Sequence, residues 1–231
     1  MTAPSPSFVK GLAGVVAAQT ALSSVDGTNG VLTYRGVNIH DLAGKAEYEE
    51  VVYLLVYGSL PTASQLSDFK KELAANRRLP KGALDLIAAA PKKAVPMDTL
   101  RTAASALAYY AEDVADISVE ATLHKGIRLT AQFPTLVAAI HRIRKGKEIV
   151  NPKSTLNHAE NFLYMLHGKK QSQLTNEAMN LYMVLLADHS LNASTFTSRV
   201  VASTNGDLHA AVTAALGALK GNLHGGAAEA T

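Results

Sequence analysis

Cysteine is absent from this chain of 231 residues, which excludes disulfides, thiolate metal sites and cysteine nucleophiles. That absence suits an intracellular protein without requiring one, and the cytoplasm is the expected compartment. Tryptophan is also absent and aromatic residues make up only 6%. Single-strand nucleic-acid binding uses stacking side chains along a dense basic stripe, so no nucleic-acid partner is expected. Long hydrophobic runs are missing too. The stretch from Leu12 to Ala21 is too short, and too broken by Gly and Gln, to span a bilayer or direct secretion, and no membrane segment is expected. Neither a G-x-x-x-x-G-K-[ST] loop nor a strand-linked G-x-G-x-x-G occurs, which removes P-loop and Rossmann chemistry.

What is present is enough apolar material for a sizeable core, 48% hydrophobic against 18% charged. The formal net charge is +3 and the pI about 9.0, with short basic runs at Lys92–Lys93, Arg142–Lys147 and Lys169–Lys170. A solvated basic face accounts for these runs, and a polyanionic small ligand such as a CoA ester is compatible with their sign. Most of the chain spaces its apolar residues by three and four, so the expected fold class is all-α. One β signal stands near the start. Ser24 to Gly36 combines β-formers with turn dipeptides and predicts a short hairpin.

Helices are predicted at Ile39–Ala43, Tyr48–Tyr57, Ala63–Ala75 with Thr62 as its cap, Lys81–Ala90 and Met97–Ala111. The segment Ala121–Arg144 carries Pro134, which predicts a kink or break near Phe133. After a basic connector with Gly146 and Pro152, helices resume at Asn157–Leu166, Asn176–Leu186, Ala193–Ser203 and Asp207–Leu219. Several of these are Ala-rich enough to be surrounded by other helices or to form a subunit interface. Gly221 reads as a helix stop.

Eight histidines are candidates for chemistry. His158 and His167 stand nine apart on different faces of one helix, without a second ligand at helical spacing, and no metal is expected. Two others have richer surroundings. Asp188-His189-Ser190-Leu191-Asn192-Ala193-Ser194-Thr195 gathers small polar groups at a helix start, where free backbone N–H groups can hold an anion. The same residues serve equally well if Asn192 or Ser194 only caps the helix. Leu223-His224-Gly225-Gly226 follows a long Ala-rich helix, and paired glycines give close backbone approach beside a ring able to reach a substrate. A helix end with a dipole-friendly histidine is the plain alternative. His189 and His224 are separated by one helix pair, so both can reach one cleft.

Together these segments resemble the citrate synthase family over nearly the whole chain. The resemblance runs through Lys10-Gly11-Leu12, Tyr34-Arg35-Gly36, Leu60-Pro61-Thr62, Pro96 to Thr102 and Asn161 to Leu166. Its most specific parts are Ala187 to Phe196 and Leu223-His224-Gly225-Gly226-Ala227-Ala228-Glu229. It implies a multi-helical large domain over residues 1–220, with 221–231 leading toward a small domain essentially absent from this chain. It also implies that His189, with Asn192 beside it, binds oxaloacetate, and that His224 is the catalytic histidine on the thioester carbonyl of acetyl-CoA. No cofactor is implied, since the CoA thioester is a substrate. A homodimer is implied through the helices near 97–111, 193–203 and 207–219.

Two positions depart from the commoner family pattern, Asn222 where Pro is frequent and Ala228 where Asn is frequent. The resemblance places the general-base aspartate, a second histidine on the oxaloacetate carbonyl, the carboxylate-clamping arginines and most CoA contacts after the His224 segment. A chain ending at Thr231 is therefore expected to be inactive alone. Within the class, 2-methylcitrate synthase and citryl-CoA lyase are alternatives. Outside it stand a non-catalytic dimerising scaffold and a generic helical binding module.

Overall fold

The computed structural model of the protein describes residues 16–226. Met1 to Phe8, Lys10-Gly11-Leu12 and Ala227-Ala228-Glu229 lie outside the described residues. The chain opens with strands β1 (Ser23–Asp26), β2 (Val31–Tyr34) and β3 (Val37–Asn38), joined as an antiparallel sheet in that order. The β1–β2 turn forms because the Asp26 carboxylate accepts the N–H groups of Thr28 and Asn29, each at 3.0 Å. The hairpin is the expected one. The third strand is an addition, made where the backbone reverses at Arg35 and Gly36, both with positive φ, and pairs Tyr34 with Val37.

Ten helices follow among the described residues: α1 (Ile39–Leu42), α2 (Tyr48–Tyr57), α3 (Ala63–Asn76), α4 (Lys81–Ala89), α5 (Pro96–Ala106), α6 (Val119–Arg144), α7 (His158–His167), α8 (Gln173–Leu185), α9 (Ala193–Ala202) and α10 (Leu208–Leu219). Six of these starts, those of α3 and α6 to α10, are set by side chains that accept the orphan N–H groups of the first turn: Thr62, Ser118, Asn157, Ser172, Asn192 and Asp207. Helix α8 begins at Gln173 rather than at Asn176 because Ser172 caps it. The helix expected over Met97–Ala111 tightens into a 3₁₀ turn at Leu107–Tyr110.

Helix α6 does not break at Phe133. It runs 26 residues with Pro134 inside it. The missing hydrogen bond and the ring clash cost about 3 kcal/mol. Burial on both sides of the proline offsets that cost: Ile127, Leu129 and Ala131 before it, Leu136, Ala138, Ala139 and Ile140 after it, all inaccessible to solvent or nearly so. Helices α3, α4, α5, α7 and α10 all pack on α6, making it the axis of the fold. The largest core cluster joins α6 to Ala83 and Ile87 of α4, Ala103 and Ala104 of α5 and Leu216 of α10. Helix α9, by contrast, buries none of its residues and lies mainly against α10. Of the two places expected for an Ala-rich helix, the core of the chain or a subunit interface, α9 does not take the first.

Polar groups are also built into this core. Lys125 is fully buried, and its Nζ donates to the carbonyls of Asp113, Val114 and Asp116, which ties the loop before α6 to the helix. Glu49 Oε1 accepts the His158 N–H at 2.7 Å at the start of α7. The His158 ring is buried against Tyr48, centroids 4.9 Å apart, while His167 at the other end of α7 is exposed. Burial pushes the His158 ring down to about 4, and the Arg77 charge adds to the effect. Burial pushes the Glu49 carboxyl up from its ordinary range.

These shifts act on stability in opposite senses. His158 binds its proton more weakly folded than unfolded, so it destabilises the fold as pH falls from about 6.5 toward about 4. Glu49 holds its proton more tightly folded than unfolded, so its contribution is lost as pH rises above the ordinary carboxylate range. His158→Gln is expected to remove up to roughly 3 kcal/mol of acid-side loss in urea denaturation between pH 6.5 and 4. An unchanged slope in that variant would contradict the buried neutral ring.

Candidate active site

Helices α9 and α10 form a hairpin of nearly matched arms. At 1.5 Å per residue the arms measure about 15 and about 18 Å, so the chain leaving α10 returns to the level at which α9 began. The segment before α9 carries His189 and Asn192, and the segment after α10 carries His224. One end of the helix pair therefore holds both motifs.

Asn192 is the N-cap of α9, its Oδ1 accepting the Thr195 N–H at 2.9 Å. The capping alternative is thus correct as far as it goes. The cap has a second layer. Ser194 Oγ lies 2.9 Å from Asn192 Oδ1 and 2.8 Å from His224 Nε2. Through Ser194 the two motifs, thirty residues apart, are linked directly. His224 is half-buried, whereas His189, three residues before the cap, is exposed. The hydrogen bonds therefore bring Asn192, Ser194 and His224 together and leave the His189 ring facing solvent.

The His224 turn is set by close backbone contact. Gly221 O accepts the His224 N–H at 2.9 Å and the Gly226 N–H at 3.2 Å. A Cβ on Gly225 would stand 2.5 Å from Leu219 Cδ1 and 2.7 Å from Leu219 O, and one on Gly226 would stand 2.7 Å from Lys220 O. Only glycine lets this turn fold back on the end of α10. Asn222 is exposed and the turn closes with it in place.

The His189 loop is held from the opposite direction. Tyr34 of β2 is fully buried and its hydroxyl donates to the carbonyls of Val184 and Leu185, both at 3.1 Å, at the end of α8. Burial pushes its phenol above the usual range. Ser23 of β1 donates to the Asp188 carboxylate. That carboxylate also accepts the Ser190 N–H at 2.8 Å, and Ser190 has a left-handed φ of 61°. Sequence reading missed Ser23 and Tyr34 as supports of this loop and offered Ser194 only as one of the polar groups at the helix start. The only local cue was the polarity of the 188–195 segment, and the partners Ser23 and Tyr34 of Asp188 lie 165 and 154 residues away.

Among the described residues, no three His, Cys, Asp or Glu side chains gather as a metal site, and no helix is long and apolar enough to cross a membrane.

The family profile described as "Citrate synthase, C-terminal domain" matches residues 11–231. Citrate synthase of Haloferax volcanii is 48% identical over 222 residues, covering 94% of this chain and 59% of its own length. The 2-methylcitrate synthase of Mycobacterium tuberculosis is 44% identical over 234 residues, covering 100% and 59%. Among solved structures, citrate synthase from Pyrobaculum aerophilum superposes with a TM-score of 0.92 at 40% identity, over 100% of this chain and 59% of that one. Citrate synthase from Thermoplasma acidophilum, in ternary complex with carboxymethyl coenzyme A and oxaloacetate, gives a TM-score of 0.90 at 30% identity, over 96% and 59%. The chain thus spans 59% of the length of these relatives.

Gly225→Ala is expected to destabilise the chain by about 1–3 kcal/mol, because its Cβ must displace the turn or the end of α10. Gly27→Ala, whose Cβ meets nothing within 4 Å, is expected to stay within about 0.5 kcal/mol of the parent. Chemical denaturation midpoints compare the two. Equal midpoints would contradict the close approach at His224.

Proposed function

Because the chain belongs to the citrate synthase family, we propose that it carries the oxaloacetate-binding and thioester-polarising side of an acetyl-CoA condensation. The reaction so assigned joins acetyl-CoA, oxaloacetate and water to give citrate and CoA. His189 and Asn192 meet oxaloacetate, and His224 is the catalytic residue that donates a hydrogen bond to the thioester oxygen. The observation that carries this reading is the 2.8 Å contact between Ser194 Oγ and His224 Nε2, which puts both histidine segments at one end of a helix pair.

The chemistry explains why that contact matters. Removing a proton from the acetyl methyl group sends charge onto the thioester oxygen, and a neutral imidazole N–H placed there stabilises the enolate or enol. The methyl carbon then bonds to the ketone carbon of oxaloacetate, whose oxygen takes up a proton. Hydrolysis of the resulting thioester releases CoA. Ser194 has one hydroxyl proton. Given to His224 Nε2, it fixes the ring as the Nδ1–H tautomer and leaves Nδ1–H for the substrate oxygen. Asn192 Oδ1 keeps the Thr195 N–H as its partner in either case. The base that takes the methyl proton is assigned to no residue of this chain, so the 231 residues alone are proposed to be inactive.

The net charge of +3 suits a polyanionic CoA ester. No cofactor is assigned, and the proposed compartment is the cytoplasm. A second copy of the chain is assigned to the face formed by the helices near 97–111, 193–203 and 207–219, supported by α9, which buries nothing of its own and leaves Val200 exposed. The kinship to 2-methylcitrate synthases supports a second reading of the acyl group. Acetyl and propionyl differ by one methylene, worth about 1–3 kcal/mol in a pocket, so competition between the two thioesters decides.

Joined to the carboxyl-terminal remainder of the Haloferax volcanii relative, the chain is expected to release thiol from acetyl-CoA only when oxaloacetate is present. His224→Ala in that fusion is expected to lower kcat by about 10²–10³ while the helical circular dichroism signal persists. Undiminished turnover in the variant would remove His224 from the mechanism.

A further inference from the structure

Ser23 and Tyr34 face each other directly across the β1–β2 ladder, and cross-strand partners project from the same face of a sheet. Both reach the segment that leads into His189. Tyr34 takes up the last carbonyls of α8 through its hydroxyl, and the Asp188 N–H lies 3.4 Å from the same oxygen. Ser23 donates to the Asp188 carboxylate, which in turn holds the Ser190 N–H. Ser190 has no need of a left-handed backbone by its own chemistry. A non-glycine residue at φ 61° is uncommon and persists only where its surroundings dictate it. His189 stands between the two residues so fixed. The sheet is itself anchored, since the Arg35 guanidinium donates twice to Leu55 O of α2, at 3.1 and 2.8 Å.

We infer that Ser23 and Tyr34 are positioning residues of the site: the amino-terminal sheet is a brace that sets the backbone of Asp188–Ser190 and so aims His189 at its ligand. The inference rests on the reading that His189 binds oxaloacetate. Without the brace, the exposed loop would sample other backbone states, and a ligand would bind only the fraction correctly formed.

Hydrogen exchange at the Ser190 amide and calorimetric titration with oxaloacetate, both on the full chain, test this. Ser23→Ala and Tyr34→Phe are each expected to speed exchange at Ser190 about tenfold and to weaken oxaloacetate binding about tenfold, the scale of one hydrogen bond to a charged or buried group. Ser23→Thr is expected to restore both. Tyr34→Phe keeps the ring in the core, so the fold survives the loss of the hydroxyl. Unchanged exchange at Ser190 in both variants would overturn the inference, as would faster exchange with undiminished affinity. A parent chain that binds no oxaloacetate would overturn the functional reading instead, while the exchange measurement still decides whether the pair holds the loop.

Discussion

A serine hydroxyl has one proton to donate, and at Ser194 two acceptors stand within reach of it, Asn192 Oδ1 at 2.9 Å and His224 Nε2 at 2.8 Å. Which one receives it decides which nitrogen of the His224 ring carries the hydrogen. That choice exists only because a residue in the first turn of α9 and a residue beyond the end of α10 sit side by side. The rest of the molecule makes this juxtaposition possible. Matched helix lengths return the chain to its starting level, Gly225 and Gly226 let it fold tightly against the end of α10, and the amino-terminal sheet fixes the loop that enters α9.

The scaffold beneath the hairpin depends on α6. Five helices pack on that element, so its own local fault at Pro134 is overruled by what surrounds it. Small residues carry much of the contact: Ala103 and Ala104 of α5 and Ala138 and Ala139 of α6 are all buried, which permits close helix approach. Through α10 the same core reaches the site, since Leu216 sits in the largest cluster while Leu219 and Lys220 form the floor against which the His224 turn closes.

The sequence was legible where structure depends on neighbours along the chain. Tyr48–Tyr57 has the bounds its periodicity predicts, and Thr62, Asn157, Asn192 and Asp207 announce helix starts because capping is a contact over three residues. His189, Asn192 and His224 stood out as candidates for the same reason, each lying in a short segment of unusual composition. What escaped depends on partners far away. Glu49 meets the start of α7 across 109 residues, Tyr34 meets α8 across 150, and Lys125 looks like any amphipathic-helix lysine until the loop carbonyls around it are seen. Of the kink or break expected near Phe133, the break does not occur, because burial on both sides of Pro134 keeps the helix continuous. The third strand escaped because two residues are too few for a periodic signal.

Long-range proton–nitrogen correlation spectra of the histidine rings, recorded with and without oxaloacetate, examine the convergence of the two loops most directly. His224 is expected as the Nδ1–H tautomer, with the Nε2–H tautomer gaining in Ser194→Ala, and oxaloacetate is expected to shift the His189 and His224 signals together. An Nε2–H ring insensitive to Ser194, or a ligand that shifts neither histidine, would contradict a shared site.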